Sequence, residues 1–300
     1  MDARDFYEEL GGDYDRMIAW DRRFAREEAF FRTAFAEHSV RRVLDAACGT
    51  GMHAIAFSRM GMSAAGTDLS PTMIEQAKKN ARAAAVDLDL QVAGFGNIAG
   101  RFSTPFDAVT CLGNSLPHLL DDASLAAALA DFAALLSPGG VLVIQNRNYD
   151  RLLQQRQRFM PPASREDASG ETIYLRITDF FGARAPGFLG PGAPGSQGPA
   201  AAEASQGRGA EETVGFTIVT LRKKDGAWTQ SVQTTTLRAL TRATLEKALK
   251  TAGFSAVTIF GGFDRTPYDA PGAADLVALA VKQAPAVSST PTPRRESIRL

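Results

Sequence analysis

The sequence predicts an α/β fold, with a mostly parallel sheet covered by helices on both faces and a small antiparallel β insertion or lid. Three observations carry that expectation. Short apolar runs alternate with helix-patterned stretches between residues 41 and 147. After Asn148 the rhythm changes to longer segments of alternating character. Two further strand patterns and a helix then follow, so the chain returns to the first sheet.

Each element has a local reason. Residues 1–38 carry apolar side chains at amphipathic helical spacing. RRVLDA, residues 41–46, is a short apolar strand, broken by CGTG and followed by the helix pattern MHAIAFSRMG. SAAGTDLS is a second strand ending at Asp68. Ser70 is placed as an N-cap and Pro71 in the first turn of the next helix, where a missing N–H costs nothing. LDLQVAG and FDAVTCLG are the third and fourth strands. DDASLAAALADFAALL is an Ala- and Leu-rich helix with Asp121 or Asp122 available as its cap. SPGG reads as a turn before the fifth strand, VLVIQNR. ETIYLRITDFF, EETVGFTIVTLRKKDG and AWTQSVQTTTLRAL read as three antiparallel strands, the last two joined by a tight turn at Lys224-Asp225-Gly226. TRATLEKALKTAG is a helix, and SAVTIFGGF and ADLVALAVK are the final strands.

The expected organisation is therefore a helical cover over residues 1–38 and a main domain over 39–282. Within it an antiparallel subdomain at about 170–238 is interrupted by a Gly-, Pro- and Ala-rich loop at 182–210, read as mobile because it cannot build a core. Residues 283–300 read as a disordered tail. Composition narrows the function. The 33 basic and 33 acidic residues cancel, leaving no general electrostatic footprint for nucleic acid or membrane. Cys48 and Cys111 stand alone, which argues against a disulfide scaffold or a zinc site and suits a reducing compartment. The opening MDARDFYEELGG is acidic and unlike a secretory leader, and no apolar run is long enough to span a bilayer. A cytoplasmic location is expected.

The first constellation with chemistry is LDAACGTG, residues 44–51. A strand ends, and Gly49 and Gly51 turn the chain into a helix, where backbone can approach a ligand closely. Asp45, at the strand end, could orient that loop or bind a ligand amine. Asp68 closes the next strand about twenty residues on, the arrangement that holds a ribose diol at the carboxyl edge of a parallel sheet. These residues alone also admit a nicotinamide cofactor.

The order LDAACGTG, GTDLS, FDAVTCLGNSLPHL and LLSPGGVLVIQNRNYD resembles a class I S-adenosylmethionine-dependent methyltransferase with a Rossmann-like sheet. Its CLGNS-x-x-HL and RNYD segments are similar to those of glycine and sarcosine N-methyltransferases. The resemblance covers residues 5–180 and fades toward 282. It implies S-adenosyl-L-methionine as cofactor, S-adenosyl-L-homocysteine as product, and no metal. It places Ala47 and Gly49 at the methionine end, Asp68 at the ribose, and Phe95 and Gly96 at the adenine, with Asp45, Gly51 and Leu69 also among the cofactor-binding residues. Leu112 and His118 fall near the sulfonium or carboxylate. The family often has an acidic or Asn side chain at the adenine. QVAGFGNIA departs from that, so backbone or Asn97 must serve. Tyr14, Trp20 and Arg26 match the family's cofactor cover.

For substrate, the resemblance implies Asn114 and Arg147 as the groups that bind an amino acid, with Arg147 pairing its carboxylate, and Tyr174 as a hydroxyl donor. His118 is a candidate proton acceptor or a structural histidine. An internal ion pair of Arg147 with Asp150 is the bland alternative. Phe216 stands where the family closes the site with a tyrosine, and TTTLRALTRATL lacks the paired tyrosines found there. The implied acceptor is a small amine or amino-acid-like molecule, not committed to glycine. An O-methyltransferase for a small metabolite is the runner-up, and a non-catalytic S-adenosylmethionine-binding regulatory protein is the reading from another class. No nucleic-acid or membrane partner is expected, and homo-oligomer formation is left open.

Overall fold

The computed structural model describes residues 2–11, 13–167, 170–180 and 212–283. The loop expected at 182–210, and all but the first residue of the tail expected at 283–300, lie outside the described residues. Three helices come first: α1 (Ala3–Leu10), α2 (Asp13–Met17) and α3 (Trp20–Glu37). The core then alternates β1 (Arg42–Ala46), α4 (Met52–Arg59), β2 (Ser63–Asp68), α5 (Pro71–Ala83), β3 (Asp89–Val92), β4 (Phe106–Cys111), α6 (Asp122–Leu135) and β5 (Leu136–Arg147). α7 (Tyr149–Gln155) leads to β6 (Ala163–Asp167), β7 (Gly170–Phe180), β8 (Thr213–Lys224) and β9 (Ala227–Arg238). The chain returns through α8 (Arg242–Thr251), β10 (Phe254–Phe260) and β11 (Asp275–Lys282).

Seven strands form one sheet in the order β10-β11-β5-β4-β1-β2-β3. β1 to β5 pair in parallel, and β11 runs antiparallel to β5 and to β10. Strand parity assigns the two faces. Leu44, Val109, Leu142 and Ile144 pack with Leu125, Leu129 and Phe132 of α6 and with Leu245 and Leu249 of α8. Val43, Ala108, Val141 and Val143 pack on the other face with Phe30, Phe31 and Phe35 of α3 and with Phe57 of α4. Burying each such ring contributes about 1.5–3 kcal/mol. α3 is thus largely a core helix, beyond its expected part in a cover.

The caps follow the sequence reading. Ser70 Oγ accepts from Met73 N–H, with Pro71 at the first position of α5. Asp121 accepts from Ser124 N–H at the start of α6. β8 and β9 join through Asp225 and Gly226, both at positive φ, a two-residue turn that matches strand twist. Two readings are corrected. SPGG is not a separate turn: β5 already begins at Leu136, and its register with β4 slips between Phe106 and Ala108, with Gly139 at φ 77°. The antiparallel sheet has four strands, β6-β7-β8-β9, because ASRED pairs with β7. The second sheet faces the carboxyl edge of the first, with α1 packed on it through Phe6, Leu10 and Ile218.

Candidate active site

The loop after β1 rises through three left-handed residues, Ala47, Gly49 and Gly51. At Gly51 the need for glycine is doubled: φ is 79°, and an added Cβ would lie 2.9 Å from the Cβ of Ala77 on α5. The loop is tied to the end of β2. Gly49 N–H donates to Asp68 Oδ2 and Ser70 N–H to Asp68 Oδ1, each at 2.9 Å. Burial raises the Asp68 pKa, and those backbone N–H groups oppose the rise. Each oxygen keeps acceptor capacity for a further hydroxyl.

Asp68 opens on a cavity of about 300 Å³. Ala47, Gly49, Leu69, Gly94 and Phe95 line it with Asn97, and Phe95 is held edge-on against Phe132. A second cavity, about 860 Å³, lies between the strand ends of the large sheet and the antiparallel sheet. Gly113, Asn114, Gln145 and Arg147 form its floor, and Arg176, Phe216 and Ile218 its roof. Tyr7, Tyr14 and His118 line both cavities and form the wall between them.

That wall is uncharged near neutral pH. His118 Nε2 lies 3.2 Å from the Tyr7 hydroxyl, and its Nδ1 has no partner among the described residues. Burial pushes the His118 pKa down to about 4. Burial pushes the Tyr14 phenol up to about 12, and holds that of Tyr7 well above its ordinary value.

In the larger cavity, Asn114 sits at φ 69°. Its Oδ1 accepts from Arg147 N–H at 3.0 Å and its Nδ2 donates to the Tyr149 hydroxyl at 3.1 Å. Arg147 Nη1 donates to Thr178 Oγ1 at 3.2 Å, and the guanidinium lies 5.9 Å from the Phe216 ring centroid. No carboxylate stands within ion-pair distance of it among the described residues. Asp150 instead accepts from Arg242 N–H and the Tyr268 hydroxyl. Burial lowers the Arg147 pKa.

Comparison with known proteins bears on the fold. Residues 43–140 match a family described as a methyltransferase domain. A solved S-adenosylmethionine-dependent methyltransferase from Clostridium acetobutylicum superposes with a TM-score of 0.68 at 17% identity, over 93% of this chain and 99% of that one. The fold is that of the class I methyltransferases. An amino pentose methyltransferase from Micromonospora echinaspora superposes with a TM-score of 0.60 at 22% identity, over 89% of this chain and 93% of its own. Among curated sequences, a glycine/sarcosine N-methyltransferase from Parasynechococcus marenigrum is 38% identical over 151 residues, 50% of this chain and 54% of its own. A glycine N-methyltransferase from Rattus norvegicus is 37% identical over 151 residues, 44% of this chain and 48% of its own. The chain spans about half the length of the curated relatives it matches.

Within this fold the expected residues separate into groups. Tyr14, Ala47, Gly49, Asp68, Leu69, Phe95 and His118 border the smaller cavity. Asn114 and Arg147 border the larger one, and so does Arg26. Others border neither. Gly51 serves helix packing and Gly96, at φ 80°, serves a turn. Leu112 is buried, and its carbonyl accepts from Ser115 Oγ. Asp45 is buried under the glycine loop, its Oδ1 accepting from Thr110 at 2.8 Å while Oδ2 has no partner among the described residues. Burial raises its pKa to about 6. Trp20 turns away and donates to Asp15 Oδ1 at 2.9 Å; Asp15 also accepts from Thr50 Oγ1 and so fastens α2 to the glycine loop. Tyr174 shares a face of β7 with Arg176 and Thr178 but lies further out, fully buried, in neither cavity. Sequence reading missed Tyr7, Arg165 and Arg176. A charged residue amid the β-branched pattern of ETIYLRITDFF was the available signal for Arg176.

Proposed function

We propose that this chain transfers the methyl group of S-adenosyl-L-methionine to the nitrogen of a small amine that carries a carboxylate, releasing S-adenosyl-L-homocysteine. The observation that carries the proposal is Arg147. It is a largely buried cation with only a neutral hydroxyl partner, set in a cavity that shares a wall with the Asp68 pocket. The printed functions of the half-length relatives, glycine and sarcosine N-methylation, point the same way.

The smaller cavity fits the cofactor's nucleoside. Asp68 would accept from the ribose hydroxyls, and Phe95 with Leu69 would cover a flat base, while Asn97 offers a polar edge. His118 Nδ1 is a buried polar atom still wanting a partner at the wall. When bound, the cofactor supplies an electrophilic methyl on a sulfonium. This chain's residues do the rest. Arg147 holds the acceptor carboxylate in a planar, two-pronged grip. Asn114 fixes Arg147 by accepting from its backbone N–H. Tyr7 and Tyr14 exclude water from the wall. The cationic lining disfavours the ammonium form of the acceptor and so favours the free amine that must attack. The nitrogen lone pair makes the new N–C bond as the S–C bond breaks and its electron pair stays on sulfur. The product ammonium then releases its proton to solvent. His118, with a pKa of about 4, is too weak a base to strip an ammonium at neutral pH and serves as a neutral wall residue.

An O-methyltransferase would be better served by an internally paired Arg147, which the cavity does not provide, although much of the remaining lining, including Phe6, Leu10, Met17, Phe216 and Ile218, is apolar. The test is a screen with labelled S-adenosyl-L-methionine over glycine, sarcosine, dimethylglycine and larger carboxylated amines. Turnover of such an amine is expected, with Arg147→Met lowering kcat/KM roughly 10²- to 10³-fold, the loss of one charge-assisted pair at about 3–4 kcal/mol. Turnover confined to hydroxyl acceptors would overturn the proposal.

A further inference from the structure

The larger cavity holds more positive charge than one carboxylate requires. Besides Arg23, five arginines line it, Arg22, Arg26, Arg147, Arg165 and Arg176, and none of the five forms a salt bridge to an acid among the described residues. The two acids that line it are already engaged. Glu27 accepts from Arg23 Nε at 2.8 Å and is 2.6 Å from His53, and Asp275 accepts from Gln145 at 2.9 Å. Two of these cations, Arg147 and Arg176, are neighbours. Arg147 reaches Thr178 of β7, and Arg176 lies two residues back on the same face, about 7 Å along the strand. Arg165 lies further along the roof, on β6, where its register partner on β7 is Thr172, four positions from Arg176.

Arg176 is poised rather than spent. Its Nη2 donates to the Pro161 carbonyl at 3.2 Å, while its Nε is buried with no partner among the described residues. Burial and the neighbouring Arg147 charge both lower its pKa. Two neighbouring, partly buried guanidinium groups with no paired carboxylate repel one another and gain little from packing. A bound dianion relieves both penalties, and the cavity, at about 860 Å³, is far larger than glycine needs.

We propose that the methyl acceptor is an amine with two anionic groups, the second a carboxylate or a phosphate, held by Arg176 beside the one on Arg147. This rests on the N-methyltransferase reading and sharpens its substrate class. Initial rates with glycine, sarcosine, aspartate, glutamate and O-phosphoserine test it. Binding of the same molecules to protein saturated with S-adenosyl-L-homocysteine, measured by calorimetry, is the second arm. A dianionic amine is expected to exceed glycine and sarcosine at least tenfold in kcat/KM and in affinity. Aspartate and glutamate against O-phosphoserine tells the carboxylate source from the phosphate. Arg176→Gln should erase the preference and Arg176→Lys should keep part of it, with S-adenosyl-L-homocysteine affinity unchanged in both as the check on folding. Equal or better use of monoanionic amines overturns the proposal, as does a preference that survives Arg176→Gln. If no amine is methylated, the acceptor reading fails, and the binding arm still decides the second anion site: dianions that bind no tighter than glycine sink it.

Discussion

Replacing Asp45 with Asn should stabilise the ligand-free protein, and only above a defined pH. Asp45 is fully buried under the glycine loop; one oxygen accepts from Thr110 and the other has no partner among the described residues. Burial raises its pKa from 3.8 to about 6. At about 1.4 kcal/mol per tenfold, keeping it ionised in the folded state costs roughly 3 kcal/mol once the pH is above 6. The sign is fixed by proton counting. Between about pH 4 and 6 the folded state binds more protons at this site than the unfolded chain, so the contribution of Asp45 falls as pH rises through that window and is flat above it. Asparagine keeps the acceptor for Thr110 and removes the charge. Asp45→Asn should therefore be more stable than the parent by about 2–3 kcal/mol at pH 7.5, with the difference shrinking to about 1 kcal/mol near pH 4.5 and toward zero below the unfolded pKa. Urea unfolding at matched pH values measures it, and taking the difference between the two proteins cancels every other titrating group. A variant less stable than the parent at pH 7.5, or a difference that does not change with pH, would refute the reasoning.

Other expectations follow from single contacts. Gly51→Ala combines a left-handed backbone with a Cβ 2.9 Å from Ala77, and should cost about 2–5 kcal/mol in urea midpoints. His118 has its folded pKa depressed from 6.5 to about 4, so its contribution is complete above pH 6.5 and is lost as pH falls. Relative to His118→Gln, the parent should lose about 2 kcal/mol between pH 7 and 5, and its rate profile from pH 6 to 8 should show no inflection from this group. Asp68→Ala removes the acceptor facing the smaller cavity and frees two backbone N–H groups; calorimetry should show S-adenosyl-L-homocysteine affinity reduced at least 100-fold.

The floor of the site was legible in the sequence because local chemistry decides it. Gly49, Asp68, Ser70 and Pro71 sit where one strand end, one loop and one cap dictate. Asn114 and Arg147 close adjacent parallel strands, so they meet by register. The roof was harder to read. β6 is a short polar edge strand, ASRED, whose pairing depends on β7 and not on its own pattern. Tyr174 and Arg176 share a face, and only the packing of α2 across β6 and the outer part of β7 separates the one in the cavity from the one beneath it. Trp20 looked like an aromatic lid because the reading could not see Asp15 competing for its indole N–H. Tyr7 was missed because its partner, His118, is 111 positions away.

The two halves of the site come from different sheets, and that division has an evolutionary consequence. The match to the methyltransferase-domain family ends at residue 140, before any strand of the antiparallel sheet begins. Side chains on β6, β7 and β8 can be exchanged, in steps as small as Phe216 for a tyrosine or one arginine for a neutral residue, without disturbing the loop, the acid or the caps that define the other pocket. Such a chain can acquire a new client while its supply line stays the same, and lineages built on this plan would be expected to diverge first in the roof.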